Sequence, residues 1–243
     1  MASVFRKWCL VDLGLMDYRK AWEFQLRLVE AGKDDILKTD AVLIAEHPAV
    51  FTLGRRGGAA NLKVSQAFLA DRGMDVVHVE RGGDITYHGP GQVVIYPVVN
   101  LRTLRLGVLA FVESLEEIMI RTLADWGIKG ERNSTNRGAW VGMKKIGSIG
   151  IAVRRSVSFH GLALNVNTDL EPFTWVNPCG LHDVAITSMK QQLGRAAPME
   201  EVKQAARRHL QEVFGISLTD LSIQELEARL GPQPYQLSLG NSL

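Results

Sequence analysis

GAWVGMKKIGSIGIAVRRSVSFHGLALNVN, residues 138–167, is the stretch whose reading decides the fold class. Glycines punctuate short apolar runs of Ile, Ala, Val, Phe and Leu, a pattern that reads as strands joined by tight turns. Outward from it, AVLIAEH (41–47), DVVHVER (75–81) and QVVIYPVVNL (92–101) are rich in β-branched residues, mostly flanked by Gly or Pro, and also read as strands. Helices lie around them. Tyr18, Ala21, Trp22, Gln25, Leu28 and Val29 recur at helical spacing, and Val108, Phe111, Val112, Leu115, Ile118, Met119, Leu123 and Trp126 form a wide apolar stripe that Gly127 stops. A third helix starts at Pro198 and runs through Val202, Ala206, Leu210 and Val213 to Gly215. A fourth starts at Ser222, with Glu225 completing a capping box. Strands and helices mix without a regular βαβ alternation, so the expected class is α/β of the α+β type: a mixed sheet flanked by helices. No repeat or low-complexity linker divides the chain. The expectation is one domain over residues 1–231, with PQPYQLSLGNSL (232–243) as a loose tail.

The totals narrow the function classes. Of 243 residues, 46% are apolar and 22% charged, which suits a buried core and not disorder. A net charge of +2 does not suit a nucleic-acid coat or a polybasic membrane binder. No run approaches the roughly 18 apolar residues of a spanning helix. MASVFRKWCLVDLG (1–14) lacks the long apolar core and small-residue cleavage site of a secretory signal. Two cysteines, Cys9 and Cys179, make no disulfide framework, and no Cys/His cluster has zinc spacing. The expectation is a cytoplasmic chain that binds no nucleic acid, membrane or metal.

Four stretches could carry chemistry. RGGDITYHGPGQ (81–92) packs four glycines with Arg, Asp, Tyr and His into twelve residues, a composition that lets backbone approach a ligand or simply makes a turn. It is neither a Walker A loop nor a dinucleotide fingerprint, because the strand QVVIYP follows it. KKIGSIG (144–150) opens with two lysines, either a solvated pair or one amine held in a cleft. FHGLALN (159–165) carries His160, a structural histidine or a catalytic one. WVNPCGLHD (175–183) puts Cys179 in an Asn-Pro-Gly turn, where a thiol is more accessible than in a core. Cys9, within the apolar run WCLV, reads as a small buried hydrophobe. Local reasoning leaves Cys179 open between filler and nucleophile.

In this order, RGGDITYHGPGQ, KKIGSIG, SFHGLALNVN and NPCGL resemble the lipoyl/octanoyl transferase family, and EHPAVFTLGRRG (46–57) is similar to its N-terminal motif. The resemblance runs from about residue 8 to about residue 215. It implies a biotin/lipoyl ligase-like fold. It also implies transfer of an octanoyl group from octanoyl-acyl carrier protein to a specific lysine of lipoyl domains, those of 2-oxoacid dehydrogenases and of the glycine cleavage H protein. Carried over by position, the catalytic residues are Cys179, as thioester-forming nucleophile, and Lys145. The substrate-binding residues are Arg81, Gly82, Gly83, Asp84, Ile85, Thr86, Tyr87, His88, Ser148, Ile149, Gly150, Gly161, Leu162 and Ala163. No cofactor is implied, because the donor thioester is already activated.

The small residues of GSIG and GLA leave room for the acyl chain. Burying about six methylenes contributes roughly 5 kcal/mol before association costs. Arg137, Lys144, Arg154 and Arg155 are candidates for a basic rim facing an acidic carrier. Three other readings are an ATP-dependent lipoate or biotin ligase of the same fold, a hydrolase pairing Cys179 with His88 or His160, and a non-catalytic binding module.

Overall fold

The computed structural model describes residues 6–31, 40–58, 61–177 and 184–231. In chain order the elements are β1 (Arg6–Leu15), α1 (Tyr18–Ala31), β2 (Ala41–Glu46), β3 (Val50–Leu53), α2 (Gln66–Ala70), β4 (Asp75–His78), β5 (Ile85–His88) and β6 (Gln92–Val98). Then follow α3 (Leu101–Leu104), α4 (Val108–Ala124), β7 (Gly138–Val141), β8 (Lys144–Arg154) and β9 (Val157–Asn165). After a 3-10 turn (Glu171–Trp175) come β10 (Ala185–Ile186), α5 (Met189–Leu193), α6 (Met199–Phe214), β11 (Ile216–Asp220) and α7 (Ile223–Leu230).

The large sheet runs β10-β8-β9-β6-β2-β1-β11, with β7 also on β8. It is mixed: β1 lies parallel to β2 and β11, whereas β6, β8 and β9 pair antiparallel. Alternation along each strand feeds two cores. On β2 and β6, Val42, Ile44, Val93 and Ile95 join α4 and α6, which bring Phe111, Leu115, Ile118, Met119, Val202 and Leu210. The intervening Leu43, Ala45, Val94 and Tyr96 turn to the opposite face, covered by Ala21, Phe24, Leu28 and Val29 of α1. Being covered on both faces explains why these strands read as unbroken apolar runs.

A second sheet, β4-β3-β5, has its own cluster around Phe51, Leu53, Ile85 and Tyr87. Sequence reading missed β3 and β5, short strands within the glycine-rich motifs. It also missed β1, whose Trp8 and Leu10 serve one core and whose Cys9 and Val11 serve the other. DVVHVER is strand only to His78, and QVVIYPVVNL ends at Val98, because Asn100 caps α3 by accepting from the Arg102 N–H at 3.0 Å. The four expected helices are present. Pro198 is the N-cap of α6, Gly215 ends it at φ 61°, and the Ser222–Glu225 capping box opens α7. Residues 232–243, expected as a tail, lie outside the described residues.

The expected tight turns are two. Gly142, at φ 56°, turns β7 into β8, and Arg155 and Ser156, at φ 49° and 71°, turn β8 into β9. The other glycines of 138–167 are in strands, where packing, not turning, requires them. Gly161 faces Pro97. Proline donates no hydrogen bond, and the β6–β9 ladder runs only as far as Ile95–Leu162. There His160 adopts φ 57°, its N–H donates to Gln25 Oε1 at 2.7 Å, and a Cβ on Gly161 would collide with the Ile95 carbonyl. Gly161→Ala is therefore expected to destabilise the protein by about 1–3 kcal/mol in urea unfolding. Gly58→Ala, where a Cβ meets nothing within 4 Å, should stay within about 0.5 kcal/mol of wild type. Equal effects would refute the close-packing account.

Candidate functional site

Between the two sheets is a cavity of about 560 Å³. Its floor is set by strand register. Ser148 pairs with Ala163, Ala163 with Val94, and Gly150 with Gly161, so small side chains from β8 and β9 line up beside β6. Over them lies the loop that opens RGGD. Gly82 N–H donates to the Ile151 carbonyl at 2.8 Å, and a Cβ on Gly150 would come 3.0 Å from both Arg81 Cδ and the Gly82 carbonyl. A side chain at Gly150 would crowd the loop where it lies on the sheet.

The loop is tied to the GRRG segment. Gly54, Arg55 and Arg56 N–H groups donate to the carbonyls of Asp84, Arg81 and Gly83 at 3.0–3.1 Å. Buried Arg81 donates through Nη2 to the Thr52 carbonyl at 2.7 Å and to Thr52 Oγ1 at 2.8 Å, and through Nη1 to the Gly82 carbonyl at 3.1 Å. Asp84 Oδ2 accepts from Asn61 Nδ2 at 2.6 Å. On β5, Thr86 and His88 reach the cavity, while Tyr87 turns away to pack on Phe51 and Phe173 at 5.3 and 5.4 Å.

Strand parity alone would aim Lys145 away from Ser148 and Gly150. A bulge corrects this: Ala139 pairs with Gly147 but the next residue, Trp140, pairs with Lys145, so Ile146 is the extra residue and drops into the core. Lys145 thereby joins the cavity wall. Its Nζ donates to Asn136 Oδ1 at 2.6 Å and lies 5.7 Å from the Trp140 ring centroid. Lys144, its neighbour, is exposed.

The deep end is lined by Tyr18, His88, Tyr96 and His160. His88 stacks on Tyr18 at 5.5 Å, and its Nδ1 is 2.7 Å from Gln92 Oε1, whose amide nitrogen donates to Asn165 Oδ1 at 2.9 Å. Behind them His47 bridges the Met16 carbonyl and the Tyr96 hydroxyl, both at 2.7 Å. Burial disfavours charge throughout. It lowers the His47 pKa to about 4 and the His88 pKa to about 3, the latter with help from the neighbouring His47. It also lowers His160 and raises Tyr18 and Tyr96. At neutral pH the deep wall is polar in its atoms but uncharged.

Of the residues singled out in sequence, Lys145, Arg81–Ile85, Thr86, His88, Ser148–Gly150 and Gly161–Ala163 share this cavity, and Tyr87 does not. Cys179 lies outside the described residues. Among the rim candidates Arg137 lines the cavity; Arg154 instead pairs with Glu30 and Glu80 at 3.7 and 3.3 Å, and Arg155 occupies the β8–β9 turn. Sequence reasoning missed Tyr18, Arg56, Val94, Tyr96, Asn136 and Phe173 as wall residues. Tyr96 had a signal: a hydroxyl in an apolar central strand needs a buried partner, and a histidine ending the neighbouring strand segment supplies it.

The depressed histidines set a pH dependence. The unfolded chain takes up these protons near pH 6.5, while the folded chain resists until about 4 and 3, so stability is level above neutrality and falls as pH drops below about 6.5. The expected slope is up to about 1.4 kcal/mol per pH unit for each histidine. Urea unfolding followed from about pH 8 to about pH 5 checks it, and His88→Asn should shallow the slope. An unchanged slope in that variant would contradict the assignment.

The chain matches the lipoyl protein ligase A/B catalytic domain over residues 17–211. An octanoyltransferase of Desulfotalea psychrophila is 49% identical over 208 residues, covering 85% of this chain and 93% of that protein. One from Syntrophobacter fumaroxidans is 45% identical over 227 residues, covering 93% and 99%. In three dimensions, lipoate-protein ligase A bound with ATP superimposes with a TM-score of 0.69 at 18% identity, covering 93% of this chain and 92% of that one, a likeness of fold. The mixed, helix-flanked sheet is thus of the biotin/lipoyl ligase type, and the chain belongs to the lipoyl protein ligase A/B catalytic-domain family, with octanoyltransferases among its relatives.

Proposed function

We propose that this acyltransferase moves an octanoyl group from octanoyl-acyl carrier protein to a specific lysine of lipoyl domains through a thioester on Cys179. The acceptors are the lipoyl domains of 2-oxoacid dehydrogenases and the glycine cleavage H protein. The observation that carries the reading is that the chain after Cys179 pairs with Lys145, while the chain before it is held on Asn61, a partner of the cavity residue Asp84. Ile186 pairs in register with Lys145, Val184 lines the same cavity, and on the other flank the Asn177 N–H donates to the Asn61 carbonyl at 2.8 Å, beside Asp84.

In the first step the Cys179 thiolate attacks the donor thioester carbonyl. The bond to the carrier's sulfur breaks; that sulfur leaves as a thiolate and is then protonated by the Lys145 ammonium, which is left as the neutral amine. In the second, the acceptor lysine amine attacks the new thioester. An amide forms, Cys179 leaves as thiolate, and the amine's surplus proton passes to Lys145. Lys145 serves the first step as an ammonium that favours the thiolate and the second as a neutral base. The chain lies over Ser148, Gly161, Ala163 and Val94, against an uncharged deep wall. A reducing cytoplasm keeps the thiol available.

Two alternatives fit less well. A hydrolase needs a histidine that accepts a proton near neutrality, but His88 is held at about 3 and burial also lowers His160. The likeness to lipoate ligases is one of fold at 18% identity, whereas the 49% relative is an octanoyltransferase.

Intact mass spectrometry tests the proposal: protein mixed with octanoyl-carrier protein without ATP should gain one octanoyl group on Cys179 and lose it to an added lipoyl domain. Transfer surviving Cys179→Ala, or requiring ATP, would overturn it. Ala163→Phe should shorten the accepted chain or abolish transfer. An unchanged chain preference would remove Ala163 from the acyl path.

A further inference from the structure

We propose that Asn136 is a positioning residue for Lys145, held in place by the buried carboxylate of Glu116; this rests on the catalytic reading of Lys145. Asn136 lines the cavity, and its Oδ1 accepts from Lys145 Nζ at 2.6 Å. The loop that presents it is fixed at several points. Asn136 N–H donates to Asn133 Oδ1 at 3.1 Å, and its carbonyl accepts from Trp140 Nε1 at 3.0 Å. The next residues are clamped to α4: Glu116, wholly buried, accepts from Gly138 N–H at 2.9 Å and pairs with Arg137 at 3.3 Å and Arg132 at 3.5 Å. A buried carboxylate costs stability unless each oxygen is satisfied. Glu116 meets that demand by gathering the two ends of the 132–138 loop, which leaves Asn136 over β8.

The chemistry explains an amide here rather than a carboxylate. Lys145 must be an ammonium beside the thiolate and an amine when the acceptor loses its proton. A neutral oxygen accepts an N–H from either form, and it directs the lone pair of the amine away from itself. A carboxylate at the same place would favour the ammonium and oppose its deprotonation. The two half-reactions should therefore respond differently to the two obvious substitutions. Asn136→Asp keeps the shape and holds Lys145 charged. Thioester formation should stay within about twofold of wild type, while amide formation slows by about tenfold or more. Asn136→Ala removes the orientation, and both half-reactions should slow by about three- to tenfold with little change in KM for the donor. Glu116→Gln, which can still accept from Gly138 but loses the ionic clamp, should resemble Asn136→Ala.

Single-turnover rates of the two half-reactions decide the matter, measured for wild type, Asn136→Asp, Asn136→Ala and Lys145→Ala. A selective slowing of amide formation by Asn136→Asp supports the proposal. If Lys145→Ala is impaired but Asn136→Asp slows both half-reactions alike, or neither, the proposal is overturned while the role of Lys145 stands. If Lys145→Ala runs both at wild-type rates, the catalytic reading of Lys145 fails, and the positioning role with it.

Discussion

The pairing of β8 with β9 is the constraint from which the site follows. Its register runs without a break from Gly147–Leu164 to Arg154–Val157 and is closed by a two-residue turn whose positive φ angles match the twist of the strands. Because side chains alternate, this register puts Ser148 and Gly150 beside Ala163 and Gly161 on one face. A one-residue slip of β8 would turn the Ile149 side chain, which packs on the α4-side core, to the face of Ala163 and Gly161. The same strand continues past β9 to Lys145, where β7 and β10 take over the pairing and the bulge at Ile146 turns the lysine to the cavity. One strand thus lines the cavity floor and presents the amine.

Electrostatics divides the cavity along its length. At the deep end two tyrosines and two histidines contribute donors and acceptors but no charge at neutral pH, because burial opposes ionisation of each. Arg56, Arg137 and Lys145 line other parts of the wall, and Arg81 is drawn into the loop by Thr52 and Gly82. An uncharged deep wall with Lys145 elsewhere on the same cavity suits the proposed octanoyl thioester, whose tail is hydrocarbon and whose chemistry is at one end.

Much of this was legible in the sequence, and what was not has physical causes. Helical periodicity found α1, α4 and α6 through their apolar stripes, and a capping box found α7. The long strands were visible through their β-branched runs. β3 and β5 were not, because four-residue strands inside glycine-rich motifs lack the length to show a period. Glycines at 147, 150 and 161 read as turns, yet they are strand residues demanded by close approach of Met119, Arg81 and Ile95. Motif resemblance, not local pattern, picked out Lys145: simple alternation would have sent it to the opposite face, and a bulge leaves no mark in composition. Asn136 and Glu116 were out of reach, since their roles depend on a loop meeting a distant helix and strand.

The central claim is that the octanoyl chain lies across the β8–β9–β6 floor with its carbonyl beside Lys145. A crystal structure of the octanoyl thioester form tests it most directly. The claim predicts an acyl chain in contact with Ser148, Ala163 and Val94, running toward Tyr96 and His160, with the thioester within hydrogen-bond reach of Lys145 Nζ. A chain seated elsewhere, or a thioester remote from Lys145, would contradict it.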